Sequence, residues 1–80
     1  MTNLEKYINA FVVGLEISED IVNSSLAYQS VEEWDSVAHM NLIAELEDAF
    51  GIMMDTDDII DFGSYDKGIE ILAKYDVIIE

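Results

Sequence analysis

Between Asp35 and Gly51 runs a long stretch with helical periodicity, and it constrains the fold more than anything else in the sequence. His39, Leu42, Ile43, Leu46, Ala49 and Phe50 recur at the three- and four-residue spacing of one helix face. Val37, Met40, Asn41, Ala44, Glu47 and Asp48 fall on the other side. The first set predicts a core face and the second an outward one, apolar at its start and acidic at its end. Asp35 or Ser36 opens the helix with a polar side chain of the kind that caps free backbone N–H groups. Gly51 closes it, because glycine enters a left-handed C-terminal cap without a Cβ clash.

The rest of the chain is organised by the same periodicity and a few polar breaks, with no proline. Leu4, Ile8, Phe11, Val12 and Leu15 predict a first helix, with Thr2 or Asn3 as its N-cap and Gly14 near its stop. The connection from Glu16 to Trp34 is long for a small domain, so Ile17, Ile21, Val22, Leu26, Tyr28 and Val31 are expected to anchor an ordered loop with one short helical turn. Asp55-Thr56-Asp57-Asp58 predicts the start of a short third helix, since carboxylates complement the positive end of a helix dipole. Ser64 caps a fourth, with Tyr65, Ile69, Leu72 and Ala73 inward, and Val77 to Ile79 form an apolar tail. Residues 1–80 therefore read as one all-α domain of four helices, with a long loop after helix one and a short helix three.

Half of the residues are apolar, enough for a core, yet eighteen acids against three basic residues give a formal charge of -15. That charge repels nucleic-acid phosphates and anionic lipid headgroups, and favours protein partners with basic patches. Cysteine is absent, so any thiol must arrive on a cofactor. No apolar run approaches the ~20 residues of a membrane span, and no basic segment followed by an apolar one starts the chain. A cytoplasmic monomer is the expectation.

The chemistry-bearing residues are few. Ser36 as a catalytic nucleophile would need a general base and an oxyanion hole, and the single histidine, His39, lies one turn along on the inward face. Nucleophile-elbow, phosphate-loop and dinucleotide-binding motifs are missing. The acids from Asp55 to Asp61 resemble a calcium loop only in composition, with Ile60 where a glycine is required and no terminal glutamate at Asp66. No metal site is expected, and no enzymatic activity.

Asp35-Ser36-Val37, followed by a helix that closes as Leu46-Glu47-Asp48-Ala49-Phe50-Gly51-Ile52, resembles the acyl carrier proteins, whose signature is Asp-Ser-Leu and a Leu-Glu-x-x-Phe-Gly-Ile helix end. The resemblance runs from helix one through Phe62 and the turn from Ile69 to Leu72. It implies a four-helix bundle of acyl-carrier type, with residues 1–80 as a single carrier domain. It implies that Ser36 carries a 4'-phosphopantetheine, transferred from coenzyme A by a phosphopantetheinyl transferase, on whose thiol an acyl or aminoacyl thioester forms. A phosphate at a helix N-terminus meets free N–H groups and the positive dipole end, which agrees with that role.

By the same resemblance, Asp35 belongs to the motif and caps the helix, while Val37, Met40, Ala44, Glu47 and Asp48 form a docking face. Leu46, Met54, Phe62 and Ile69 are candidates for an acyl pocket, with Met53 beside them. Val37 replaces the usual leucine, Ala38 and Asn41 stand where fatty-acid carriers bear acids, Trp34 where they have a small residue, and Asp55 where proline is frequent. These departures imply a stand-alone carrier in a specialised biosynthetic pathway, loaded by its own adenylating ligase and served by acyl-processing enzymes with basic patches. Two alternatives remain open: a peptidyl carrier, and an unmodified acidic adaptor that covers a basic surface on another protein.

Overall fold

Local capping chemistry decides where each helix begins. In the computed structural model, which describes residues 1–80, α1 spans Asn3–Leu15, α2 Ser36–Phe50, α3 Thr56–Asp61 and α4 Tyr65–Ala73, with a 3-10 turn at Glu19–Ile21. Thr2 Oγ1 accepts from the Glu5 N–H at 3.1 Å while Glu5 Oε1 accepts from the Thr2 N–H at 2.9 Å, a reciprocal cap on α1. Asp35 Oδ1 accepts from Ala38 N–H at 2.9 Å and Ser64 Oγ from Lys67 N–H at 3.0 Å, starting α2 and α4. Gly51 ends α2 in the left-handed region, with φ +62°. The fold is all-helical, and its only β feature is an isolated bridge between Ala27 and Ser64.

Helices α1 and α2 form the main pair, and they run antiparallel: Lys6 lies over the Phe50 ring at one end while Gly14 meets Leu42 further along. Gly14 lies near the stop of α1, as expected, and it also has a second use in packing. A Cβ at Gly14 would stand 2.7 Å from Leu42 Cα, so the absence of a side chain lets the two backbones approach. The helix continues to Leu15 and ends at Glu16, a non-glycine residue in the left-handed region with φ 55°. The buried stripe of α1 is Tyr7, Ala10, Phe11, Gly14 and Leu15, while the expected Leu4, Ile8 and Val12 are half-buried. Tyr7 takes the central place because its hydroxyl finds a partner there, donating to the Tyr65 carbonyl at 2.6 Å. Burial pushes that phenol's pKa far above its ordinary value.

The long connection is ordered, as its composition implies, by part of the expected anchors together with Trp34. Ile17, Val22, Leu26 and Trp34 are buried, whereas Ile21 and Tyr28 are exposed and Val31 half-buried. Backbone hydrogen bonds hold it to the start of α4: Tyr65 N–H donates to Leu26 O at 2.9 Å and Tyr28 N–H to Gly63 O at 2.9 Å. On α4 the buried residues are Gly68, Ile71 and Leu72, and the expected Ala73 is exposed. The helix is turned so that Gly68 lies against Tyr7 and Phe62, where a methyl group would collide with both rings. The apolar tail is fastened through buried Val77 and by Asn3 Nδ2 donating to Ile78 O at 3.0 Å.

With six residues, α3 is too short to be stable alone and depends on side-chain tethers. Asp58 supplies one of them. Its carboxylate accepts from Lys74 Nζ at 2.6 Å and from the Tyr75 hydroxyl at 2.5 Å, and that hydroxyl accepts from Asp55 N–H at 3.0 Å. The Lys74 hydrogen bond, then that of Tyr75, holds the Asp58 carboxyl below its ordinary pKa. Such a lowered value contributes stability that is complete above the ordinary carboxylate range and is lost as pH falls through the folded-state value.

Two outcomes follow from this packing. Gly14→Ala is expected to lower the free energy of unfolding by roughly 1–3 kcal/mol through forced separation of α1 and α2, and an unchanged urea midpoint would overturn the close-contact account. Asp58→Asn is expected to be less stable than wild type near neutral pH, with the gap closing as pH falls below the carboxylate range. Urea titrations across that range check this, and a pH-independent gap would contradict it.

Candidate functional site

The polar break at 35–36 forms an exposed helix start. Asp35 turns its carboxylate back to cap Ala38, which leaves the N–H groups of Ser36 and Val37 without protein acceptors. Ser36 itself is exposed. Its Oγ lies 3.1 Å from the hydroxyl of Tyr28, with either atom able to donate. None of the three lysines, Lys6, Lys67 and Lys74, appears in the polar contacts of this end.

Beside Ser36 a cleft of about 410 Å³ opens between the start of α2 and helix α3. Met40 and His39 line it from α2, Ile59 and Ile60 from α3, and Phe62 and Gly63 from the segment that follows. Tyr28 and Ser36 stand at its polar edge. Val37, Met40 and Ile60 are exposed apolar residues at this end, which gives the serine an unusually apolar surrounding for so acidic a chain. On the other flank of α2 a groove of about 490 Å³ is bordered by Glu16, Glu33, Asp35, Val37 and Asn41.

The wall between the cleft and the core is built on Trp34, which is fully buried. Its indole Nε1 donates to His39 Nδ1 at 2.9 Å, and His39 Nε2 lies 2.8 Å from Ile59 O. An indole nitrogen only donates, so Nδ1 must accept and Nε2 must carry the hydrogen. His39 is therefore the neutral Nε2–H tautomer, donating to the Ile59 carbonyl. That carbonyl lies in the last turn of α3, where helix carbonyls lack an internal partner. The planes of the two rings lie within 17° of each other with centroids 6.1 Å apart, and Phe11, Phe62 and Tyr28 meet the indole edge-on. The histidine is thus a structural bridge from the connection to α3. Its ring nitrogens face Trp34 and Ile59, and Ser36 Oγ faces Tyr28.

The residues singled out from sequence are distributed unequally. Ser36 and Asp35 stand together at the helix start, and Val37, Met40, Ala44 and Asp48 are exposed along α2. Glu47 is half-buried, and its Oε2 accepts from the Met54 N–H at 2.9 Å, fastening the segment after Gly51. Of the four pocket candidates only Phe62 lines the cleft beside Ser36. Leu46 and Met54 are in the core, Ile69 is half-buried on α4, and Met53 is exposed. Tyr28, His39, Ile59 and Ile60 line the cleft instead. Helical spacing separates Ile59 and Ile60 from the acids of α3, a signal for an apolar face, but nothing local in sequence links Tyr28 to Ser36. No group of His, Asp or Glu side chains converges in a way that would hold a metal ion. No helix is long and apolar enough to cross a membrane. No protein-family model, curated protein or solved structure matches the chain.

The Trp34–His39–Ile59 relay makes a specific demand. His39→Leu keeps an apolar side chain of similar bulk but strands an indole N–H and a helix-end carbonyl, and is expected to cost about 1–3 kcal/mol in urea denaturation. A variant as stable as wild type would show that the relay contributes nothing net.

Proposed function

We propose that this protein is a carrier of acyl-carrier type, which bears acyl or aminoacyl intermediates as thioesters on a 4'-phosphopantetheine attached to Ser36. The observation that carries the reading is the state of Ser36: an exposed hydroxyl at the first position of a fifteen-residue helix, beside two unpartnered backbone N–H groups and an apolar cleft. No catalytic base contacts it. Such a serine is suited to receive a group rather than to attack a substrate of its own.

The residues present fit that group. The N–H groups of Ser36 and Val37 and the positive end of the α2 dipole favour a phosphodiester on Oγ, with no cationic side chain required. Asp35 assists by directing its own negative charge onto Ala38 N–H. The prosthetic group supplies the terminal thiol that the cysteine-free chain lacks. Ser36 supplies the oxygen: as its Oγ–phosphorus bond forms, the pyrophosphate bond of coenzyme A breaks, the adenosine half leaves, and the Oγ proton passes to the transferase.

The outer face of α2 supports the partner side of the reading. Val37 and Met40 offer exposed apolar contact next to the serine, and Asp48 with the acids along Glu16, Glu33 and Asp35 offers negative charge. A transferase, an acyl- or aminoacyl-activating ligase or an acyl-processing enzyme with a basic rim and an apolar centre is complementary to that surface. The bundle carries the cargo and the partners perform the chemistry.

Incubation with coenzyme A and a broad-specificity phosphopantetheinyl transferase, followed by intact-mass spectrometry, tests this. Wild type is expected to gain the mass of one phosphopantetheine and Ser36→Ala none. No gain on wild type, or an equal gain on the variant, sinks the reading and leaves an unmodified acidic adaptor in its place.

A further inference from the structure

Tyr28 lies eight residues before Ser36, in the connection, yet its hydroxyl reaches Ser36 Oγ. Tyr28 is not a core residue, since more than a third of it is exposed. Its ring is nevertheless held in place. The main chain is tied by the Tyr28 N–H to Gly63 O, and the ring meets Trp34 edge-on at 89° and His39 at 73°, with centroids 6.2 and 5.6 Å away. Those two rings are themselves fixed by the hydrogen bonds to Nδ1 and from Nε2 of His39. An exposed serine at a helix start ordinarily samples several staggered rotamers. Here a braced phenol stands at hydrogen-bond distance from its oxygen.

We infer that Tyr28 is the positioning residue for Ser36: its hydroxyl holds Oγ in one rotamer at the mouth of the cleft between α2 and α3. This rests on the carrier reading for its use, though not for its geometry. In the unmodified protein either hydroxyl can donate to the other. Once Oγ is esterified it has no hydrogen, and the phenol of Tyr28 becomes the sole donor of the pair, to the ester oxygen or to a phosphate oxygen beside it. The contact therefore survives modification with its direction fixed. Phenylalanine at position 28 would keep the ring against Trp34 and His39 and remove only this donor.

Two measurements on Tyr28→Phe test the proposal, one of them independent of any transferase. In the unmodified protein, three-bond Hα–Hβ and N–Hβ couplings of Ser36 are expected to report one χ1 well in wild type and an average over wells in Tyr28→Phe. Averaged couplings in wild type, or a single well in both, overturn the proposal even if Ser36 proves never to be modified. In modification kinetics, spreading Oγ over three staggered wells is expected to lower kcat about threefold, with KM for the carrier unchanged because Val37 and Met40 are untouched. An unchanged kcat, or a loss confined to KM, overturns it as well. The thermal midpoint of Tyr28→Phe is expected to stay at the wild-type value, whereas Tyr28→Ala, which also loses the ring, is expected to melt lower. Failure of wild type to accept phosphopantetheine removes the carrier reading alone, since the couplings still decide the role of Tyr28.

Discussion

A buried indole can donate one hydrogen bond and accept none, and the direction in which Trp34 donates organises the whole Ser36 end of the molecule. Because the acceptor is His39 Nδ1, the imidazole must carry its hydrogen on Nε2 and present it to Ile59 O. One relay thus joins the long connection, α2 and α3 in a fixed order. The imidazole of His39, on α2, bridges Trp34 to a carbonyl of α3 beside the cleft. Phe11 on α1 and Phe62 after α3 pack against the same indole, so the polar relay is anchored in the aromatic core. Unpaired, each of these buried polar groups would cost more than its bond contributes.

At its other side α3 is held by charge. Asp58 is the buried carboxylate in a chain of eighteen acids, and it uses one of the three lysines together with the phenol of Tyr75. The remaining negative charge is left on the surface, where its self-repulsion opposes compaction. A six-residue helix held between an imidazole on one side and an ammonium and a phenol on the other needs no helix propensity of its own. It serves as the wall that makes the surface beside Ser36 concave.

Much of the fold was legible because its signals are local. The Asp35 cap, the Gly51 stop, the acid-rich start of α3 and the Ser64 cap each depend on a few consecutive residues, and each lies where the sequence puts it. The face of a helix is less local. On α1 Phe11 and Leu15 of the expected stripe are buried, but Leu4, Ile8 and Val12 are half-buried and Tyr7 takes the centre, because a partner carbonyl on Tyr65 and the gap left by Gly68 accept a tyrosine there. Gly14 lies near the helix stop, where the sequence puts it, but its close backbone contact with Leu42 has no local signal. Hydropathy cannot tell which apolar residues of a loop point inward, and so Ile21 and Tyr28 were grouped with Ile17 and Leu26.

The sequence by itself determined that the chain is helical, where its four helices start, and that Ser36 opens the second of them, because capping and periodicity act within a turn or two of backbone. Only the tertiary structure decided what surrounds that serine. Tyr28, His39, Ile59 and Phe62 come from three separate stretches of chain, and they meet at Ser36 because the packing around Trp34 fixes how the connection and α3 lie on α2. Contacts between residues distant in the chain leave no periodic trace in it, so a cleft wall made of them becomes visible only when the core that positions it is built.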